Sequence, residues 1–345
     1  MPVIYGEIKD QYHALEQTRA LLDTRMEELK AFWNRSGPGR VVYVGCGSSY
    51  SVAKSLSTMT GTLLGLPSLA LAGGDLLIHA ETYAPLLEGA ILVAISRSGS
   101  TSEVIKAAAA LWERGVKFRL LGVSCVVDAP LSARADLALE LPWAFDESVC
   151  QTRTVTALYY LGAYLLASLA GRADLLADLR ETVTHGPAFL EEWEKTVRSV
   201  AQRDWNCGVV LADAELEGIA EEGALAFKEI CQLPSNYYHV LDSRHGPMVL
   251  IREGTVVVVA MSDAACALER DLIGDLRKKG AELVVYSDTD AGLEGVTNIT
   301  FGRPLNHIAR GVPLILICQL LTYYKSFVTG TDPGSPAGLD AWIKL

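Results

Sequence analysis

Two turns concentrate the side chains that could do chemistry. One reads Gly45-Cys46-Gly47-Ser48-Ser49-Tyr50-Ser51, the other Ser96-Arg97-Ser98-Gly99-Ser100-Thr101-Ser102-Glu103. Each follows a short apolar run, and the second opens a helical stretch from Val104 to Trp112. A strand, a small hydroxyl-rich turn and a helix N-terminus together make an anion site, because amide N–H groups and the positive end of the helix dipole converge on one point. A plainer reading competes: Ser100 and Glu103 alone satisfy the S-x-x-E capping-box pattern. A cap leaves the other hydroxyls and Arg97 unexplained, so a phosphate monoester is the favoured ligand of the turn. Neither a Walker loop nor the three-glycine dinucleotide fingerprint is present.

Acid–base chemistry points to a later stretch, Glu221-Glu222-Gly223-Ala224-Leu225-Ala226-Phe227-Lys228-Glu229, followed by Arg244-His245-Gly246-Pro247. A helix over 220–233 puts Glu222 and Glu229 on one face. Taken blindly, such glutamates are solvated helix charges and a histidine before Gly-Pro is a turn residue, and spacing alone leaves both alternatives open. The six histidines show no metal-ligand pairing, so no metal is expected.

These turns need elements to hold them. Apolar residues recur at helical spacing over 4–32, from Tyr12 to Phe32, until Ser36-Gly37-Pro38-Gly39 breaks the pattern. Val41–Val44, Ile91–Ile95 and Arg119–Val123 then read as buried strands alternating with helices, the mark of a parallel sheet covered on both faces. The order recurs about 165 residues later in Gly208–Leu211, Val256–Val259 and Leu283–Tyr286, with a Glu- and Arg-rich helical link over about 172–200. The chain therefore reads as α/β, two similar halves in tandem, with ligands expected beyond the carboxyl ends of the strands. The second half's matching loops, Ala212-Asp213-Ala214-Glu215 and Ala260-Met261-Ser262-Asp263, are acidic and would repel phosphate.

Composition sets the outer bounds. At roughly 150 residues per domain, 345 residues make about two domains. The net charge of −11 argues against nucleic acid as a partner. Seven scattered cysteines without a C-x-x-C pair suit a reducing compartment, and the N-terminus lacks signal-peptide character. Thr154–Gly171 is uncharged and about 18 residues long, at the lower limit for a membrane span, but its tyrosines and lack of a companion favour a buried helix. A cytoplasmic protein with no membrane partner is expected.

Five segments taken in order resemble the sugar isomerase (SIS) family, specifically the isomerase part of glucosamine-6-phosphate synthase and its stand-alone relatives. They are Gly45–Tyr50, Ser96–Thr101, Glu147–Arg153, Glu222–Glu229 and Arg244–Pro247. The resemblance implies two tandem SIS domains, each a parallel five-stranded sheet between helices (a flavodoxin- or Rossmann-like three-layer fold), usually in a dimer with a shared active site. Residues 1–36 would be an N-terminal helix, 37–172 the first domain, 173–200 a linker helix, 201–330 the second domain and 331–345 a tail closing the site. It further implies that Ser96, Arg97, Ser98 and Thr101 hold a phosphate, that Ser48 and Ser49 contact sugar hydroxyls, and that Val149 and Gln151 line the pocket. Glu229 falls on the catalytic base and His245 on the ring-opening histidine, which the family often takes from the neighbouring subunit. No metal or organic cofactor is needed for aldose–ketose chemistry with such a pair.

Some positions depart from the pattern. Leu241-Asp242 replaces a Gly-Glu, Ala226 replaces a lysine of the catalytic helix, and Ala341 stands where a tail lysine is expected, with Lys344 close enough to substitute. Only about 35 residues precede the first strand, so glutaminase activity is not expected. A ketose/aldose isomerase, a deaminating isomerase and a deglycase acting on a 6-phosphorylated amino sugar or sugar–amine adduct all remain open. The alternative from another class is a regulatory protein that senses a sugar phosphate without turning it over.

Overall fold

The computed structural model describes Pro2 to Asp340; Ala341 and Lys344 lie outside the described residues. It resolves into two compact units. The first comprises Asp10–Glu147 and Gln151–Leu179, with Asp340; the second comprises the residues up to Lys9, Ser148–Cys150 and Arg180–Leu339.

Helix α1, Val3–Ser36, buries the stripe that its spacing marks: Tyr12, Leu15, Leu22, Leu29 and Phe32. It stops where Gly37, at φ +50°, returns its amide to the Trp33 carbonyl and Pro38 follows. The first unit continues with β1 (Val41–Gly45), α2 (Ser48–Leu64), β2 (Ser68–Ala72), α3 (Gly73–Ile78), α4 (Ala80–Leu87), β3 (Ile91–Ser96), α5 (Ser102–Glu113), β4 (Arg119–Ser124), β5 (Leu137–Glu140) and α6 (Arg153–Leu169). Its sheet is parallel in the order β2-β1-β3-β4-β5, with Val42 paired to Leu92 and Val93 to Leu121. Val42, Val44, Leu92, Ala94, Leu111 and Leu120 form part of the core on one face.

After α7 (Ala173–Ala201), the second unit holds β6 (Cys207–Leu211), α8 (Glu217–Glu229), β7 (Ser235–Tyr238), β8 (Thr255–Ala260), α9 (Ala267–Lys278), β9 (Glu282–Ser287), β10 (Thr297–Thr300) and α10 (Gly311–Thr329). This sheet is also parallel, in the order β7-β6-β8-β9-β10. Counted within its own unit, each sheet therefore runs 2-1-3-4-5. The strand order reverses between β1 and β3, and again between β6 and β8, which opens a crevice at the carboxyl ends of those strands. The six strands legible as continuous apolar runs are the three central ones of each sheet; the edge strands β2, β5, β7 and β10 are short and only partly buried.

One helix differs from expectation. Helix α8 ends at Glu229 rather than reaching 233, because Gln232 turns left-handed (φ +51°) and the Leu233 amide bends back to the Phe227 carbonyl. Helix α10 carries Pro313 in its first turn, where a missing N–H breaks no helix bond. The segment Ile308–Thr329 is long and apolar enough to cross a membrane by composition, yet 83% of it is buried inside the protein, as in a core helix. Helix α6, which carries the uncharged run from Thr154, is buried from Thr154 through Ala167.

Candidate functional site

The β1–α2 turn is shaped by two glycines. Gly47 enters α2 at φ +54°. A Cβ on Gly45 would lie 2.6 Å from the Ser49 backbone carbon, so only glycine lets the helix start this close to the strand. Ser48 and Ser49 are thereby fixed in the first turn of α2, both buried. Burial first, and Glu103 second, push the Cys46 thiol up from the ordinary range, with the Gly73 and Gly74 amides opposing.

The β3–α5 turn is built around Gly99, at φ +59°. A Cβ there would stand 2.3 Å from the Ala129 Cβ and 3.0 Å from that of Ser124. The same neighbours tie the turn down, since the Cys125 amide donates to the Arg97 carbonyl (2.9 Å) and the Leu131 amide to that of Gly99 (2.9 Å). The hydroxyls bond to one another: Ser96 with Thr101 at 2.7 Å, and Ser100 to Ser98 at 3.0 Å. The N-cap of α5 is Thr101, and no side chain caps the helix. The Ser100–Glu103 capping box therefore does not form, which removes the plainer explanation of the motif. Arg97 is buried, its guanidinium carbon 5.9 Å from the centroid of the Phe145 ring.

Gln151 belongs to the same unit. It precedes α6, whose N-terminus is capped by the buried Asp146: the Thr152 and Thr154 amides donate to its Oδ2 at 2.7 and 2.9 Å. The Oε1 of Gln151 is buried without a hydrogen-bond partner, which leaves an acceptor for a ligand hydroxyl. Ser48, Ser49, Ser96, Arg97, Ser98, Thr101 and Gln151 thus all lie in the first unit, and the serines, Arg97 and Thr101 follow the two strands that flank its crevice.

Val149, Glu229 and His245 lie in the second unit. The Val149 amide donates to the Gly334 carbonyl (3.1 Å), and the adjoining Ser148 amide donates to the buried Glu7 carboxylate (3.2 Å). Glu229 is the last residue of α8 and half-buried. Beside it, burial lowers the Lys228 ammonium from its ordinary range, while Glu221 and Glu229 act to raise it. His245 is exposed, just after a single turn of 3-10 helix, with its amide on the Asp242 carbonyl (2.8 Å). Val249 and Leu250 nearby are 77% and 71% exposed.

Several positioning groups are invisible to sequence reasoning: Glu7, Gly334, Phe145 and Gln232 act across long chain separations and carry no local pattern. Among the described residues, no three His, Cys, Asp or Glu side chains gather as a metal site.

Residues 36–168 match the SIS domain. The glutamine–fructose-6-phosphate aminotransferase (isomerizing) of Pyrobaculum aerophilum is 29% identical over 351 residues, covering 96% of this chain and 56% of that protein. Its counterpart from Pectobacterium atrosepticum is 27% identical, covering 87% of this chain and 50% of that protein. The chain spans about half the length of these curated relatives. The crystal structure of glucosamine-6-phosphate deaminase from Thermotoga maritima superposes with a TM-score of 0.85 at 24% identity, covering 99% of this chain and 100% of that one.

Proposed function

Since the chain carries a SIS domain over residues 36–168, we propose that it is a cofactor-independent phosphosugar isomerase built from two tandem SIS domains. Its substrate is a 6-phosphorylated amino sugar or sugar–amine adduct, and aldose–ketose isomerisation is coupled in some substrates to loss of the amine. The observation that carries this reading is the β3–α5 turn, where hydroxyls bonded among themselves stand before an uncapped helix N-terminus.

In this reading the phosphate takes the Ser96, Ser98 and Thr101 hydroxyls and the amides at the start of α5, with the Arg97 cation supporting the dianion. Ser48, Ser49 and Gln151 bind sugar hydroxyls, and Val149 walls the pocket. A dianion fixed at one end of an open-chain sugar places adjacent carbons in a reproducible position, which is the larger part of what proton transfer requires. Glu229 takes the proton from one of these carbons and returns it to the other, leaving an enediol or enamine between the steps. His245 moves the proton that opens the ring. Its exposure, next to Val249 and Leu250, suits a homodimer in which this face is covered and the histidine serves the partner's site.

The test is a panel of hexose 6-phosphates, hexosamine 6-phosphates and 6-phosphorylated sugar–amine adducts, followed by NMR in deuterated water. Glu229→Gln should lower kcat by about 10²–10⁴-fold and abolish deuterium entry at C1 and C2. His245→Ala should slow ring-closed substrates more than open-chain ones. Turnover that survives both changes sinks the mechanism, and binding without any product points to a sensor.

A further inference from the structure

Gln232 adopts φ +51°, a left-handed conformation that glycine enters freely and that a Cβ disfavours. The turn itself does not call for glutamine, because it is closed by backbone alone, from the Leu233 amide to the Phe227 carbonyl (3.0 Å). What glutamine adds is a side-chain amide. Its Nε2 donates to the Ala337 carbonyl at 2.7 Å.

Ala337 belongs to the segment that follows α10. Three hydrogen bonds tie this strap to the end of α8 and to Val149: Gln232 to Ala337, the Val149 amide to the Gly334 carbonyl (3.1 Å), and the Thr331 hydroxyl to the Cys231 carbonyl (3.4 Å). Two of the three land on the turn that immediately follows Glu229, and the third lands on Val149 itself. A strained residue persists where its surroundings over-determine it. We infer that Gln232 is a latch: it accepts backbone strain in order to fasten the Thr331–Leu339 strap between the end of α8 and Val149. On the reading proposed above, this makes Gln232 a positioning residue that fixes the pocket wall at Val149 relative to the base Glu229.

The test compares Gln232→Gly and Gln232→Lys in the full chain. Glycine removes both strain and latch; lysine keeps a donor of similar reach. Amide exchange is expected to quicken at least tenfold at Val149 and across 331–339 in the glycine variant, with the exchange of β6, β8 and β9 unchanged, and to return toward the wild-type rate in the lysine variant. With a substrate from the panel, the glycine variant should lose about tenfold in kcat with KM nearly constant, because the phosphate turn is untouched. Unchanged exchange, or a rise spread evenly over the whole unit, overturns the latch. Faster exchange with kcat unaltered overturns its positioning role. If the wild-type protein turns over nothing while the exchange pattern appears as expected, the enzymatic reading falls and the latch stands.

Discussion

The β3–α5 and β8–α9 turns occupy equivalent places in their two sheets, yet their polar groups are used in opposite ways. In the first, hydroxyls contact one another. Neither α5 nor α9 carries a side-chain cap, but in the second turn backbone groups are taken from within. The Ser262 amide donates to both oxygens of the buried Glu269 (3.1 and 3.0 Å). The Met261 and Ser262 carbonyls accept from Arg310, whose other face is paired with Asp288 at 2.8 Å. A carboxylate thus occupies the amide of the turn, and a guanidinium ties the end of β8 to Asp288 just after β9. Strand order provides the crevice in both units; the side chains that line it decide whether a ligand has anything left to bind.

The largest expected effect breaks the filled turn. Arg310→Met leaves Asp288 buried without its cation and frees the carbonyls of Met261, Ser262 and Leu305, so unfolding free energy should fall by about 3–5 kcal/mol. Urea unfolding followed by circular dichroism measures it. A loss under about 1 kcal/mol would mean that the guanidinium is not what holds this turn.

On the open side, Gly99→Ala is expected to come next. It forces a Cβ toward Ala129 at 2.3 Å and holds an L residue at φ +59°, together worth roughly 2–4 kcal/mol. Because the turn must move to relieve the clash, calorimetric titration with a hexose 6-phosphate should show affinity reduced at least tenfold. Unchanged affinity would detach the anion site from this turn.

How much of this contrast could be read beforehand depends on chain distance. The central strands were legible because a buried parallel strand needs an unbroken apolar run, as in Val256–Val259. The hydroxyl content of 96–101 and the acidity of the second half's loops were equally plain. What the hydroxyls contact was not: Ser100 and Glu103 match a capping box in sequence, but the bend at Gly99, imposed by Ala129 and Ser124, makes Thr101 the N-cap instead. Likewise nothing near Ser262 announces Arg310, and nothing near Val149 announces Glu7 or Gly334. The end of α8 was misplaced because glutamine carries no signature of a left-handed turn.

A matched serine pair gives a smaller and sharper comparison. Ser98→Ala, two residues past the end of its strand as Ser262 is past its own, removes a hydroxyl from the anion site, and a hydrogen bond to a charged group contributes about 1.5–3 kcal/mol, so affinity for a sugar phosphate should fall by roughly ten- to a hundredfold. Ser262→Ala should change it by less than about twofold, since Ser262 works through its backbone amide. Equal losses in both variants would mean that the two turns are not functionally distinct.

The smallest expected effect asks whether the filled turn can be reopened. Glu269→Gln keeps an acceptor for the Ser262 amide but removes the charge, which should lower stability by only about 0.5–1.5 kcal/mol. If the carboxylate alone excluded phosphate, titration would now reveal a second site per chain. The expectation is that stoichiometry stays at one. Asp263 still stands in the turn, accepting from the Ala265 amide at its Oδ1 (2.7 Å), Arg310 still holds the Met261 and Ser262 carbonyls, and no serine or threonine replaces the Ser96–Thr101 pair. A second binding event in this variant would show that one carboxylate separates the two halves; its absence means that the second turn lacks donors as well as room.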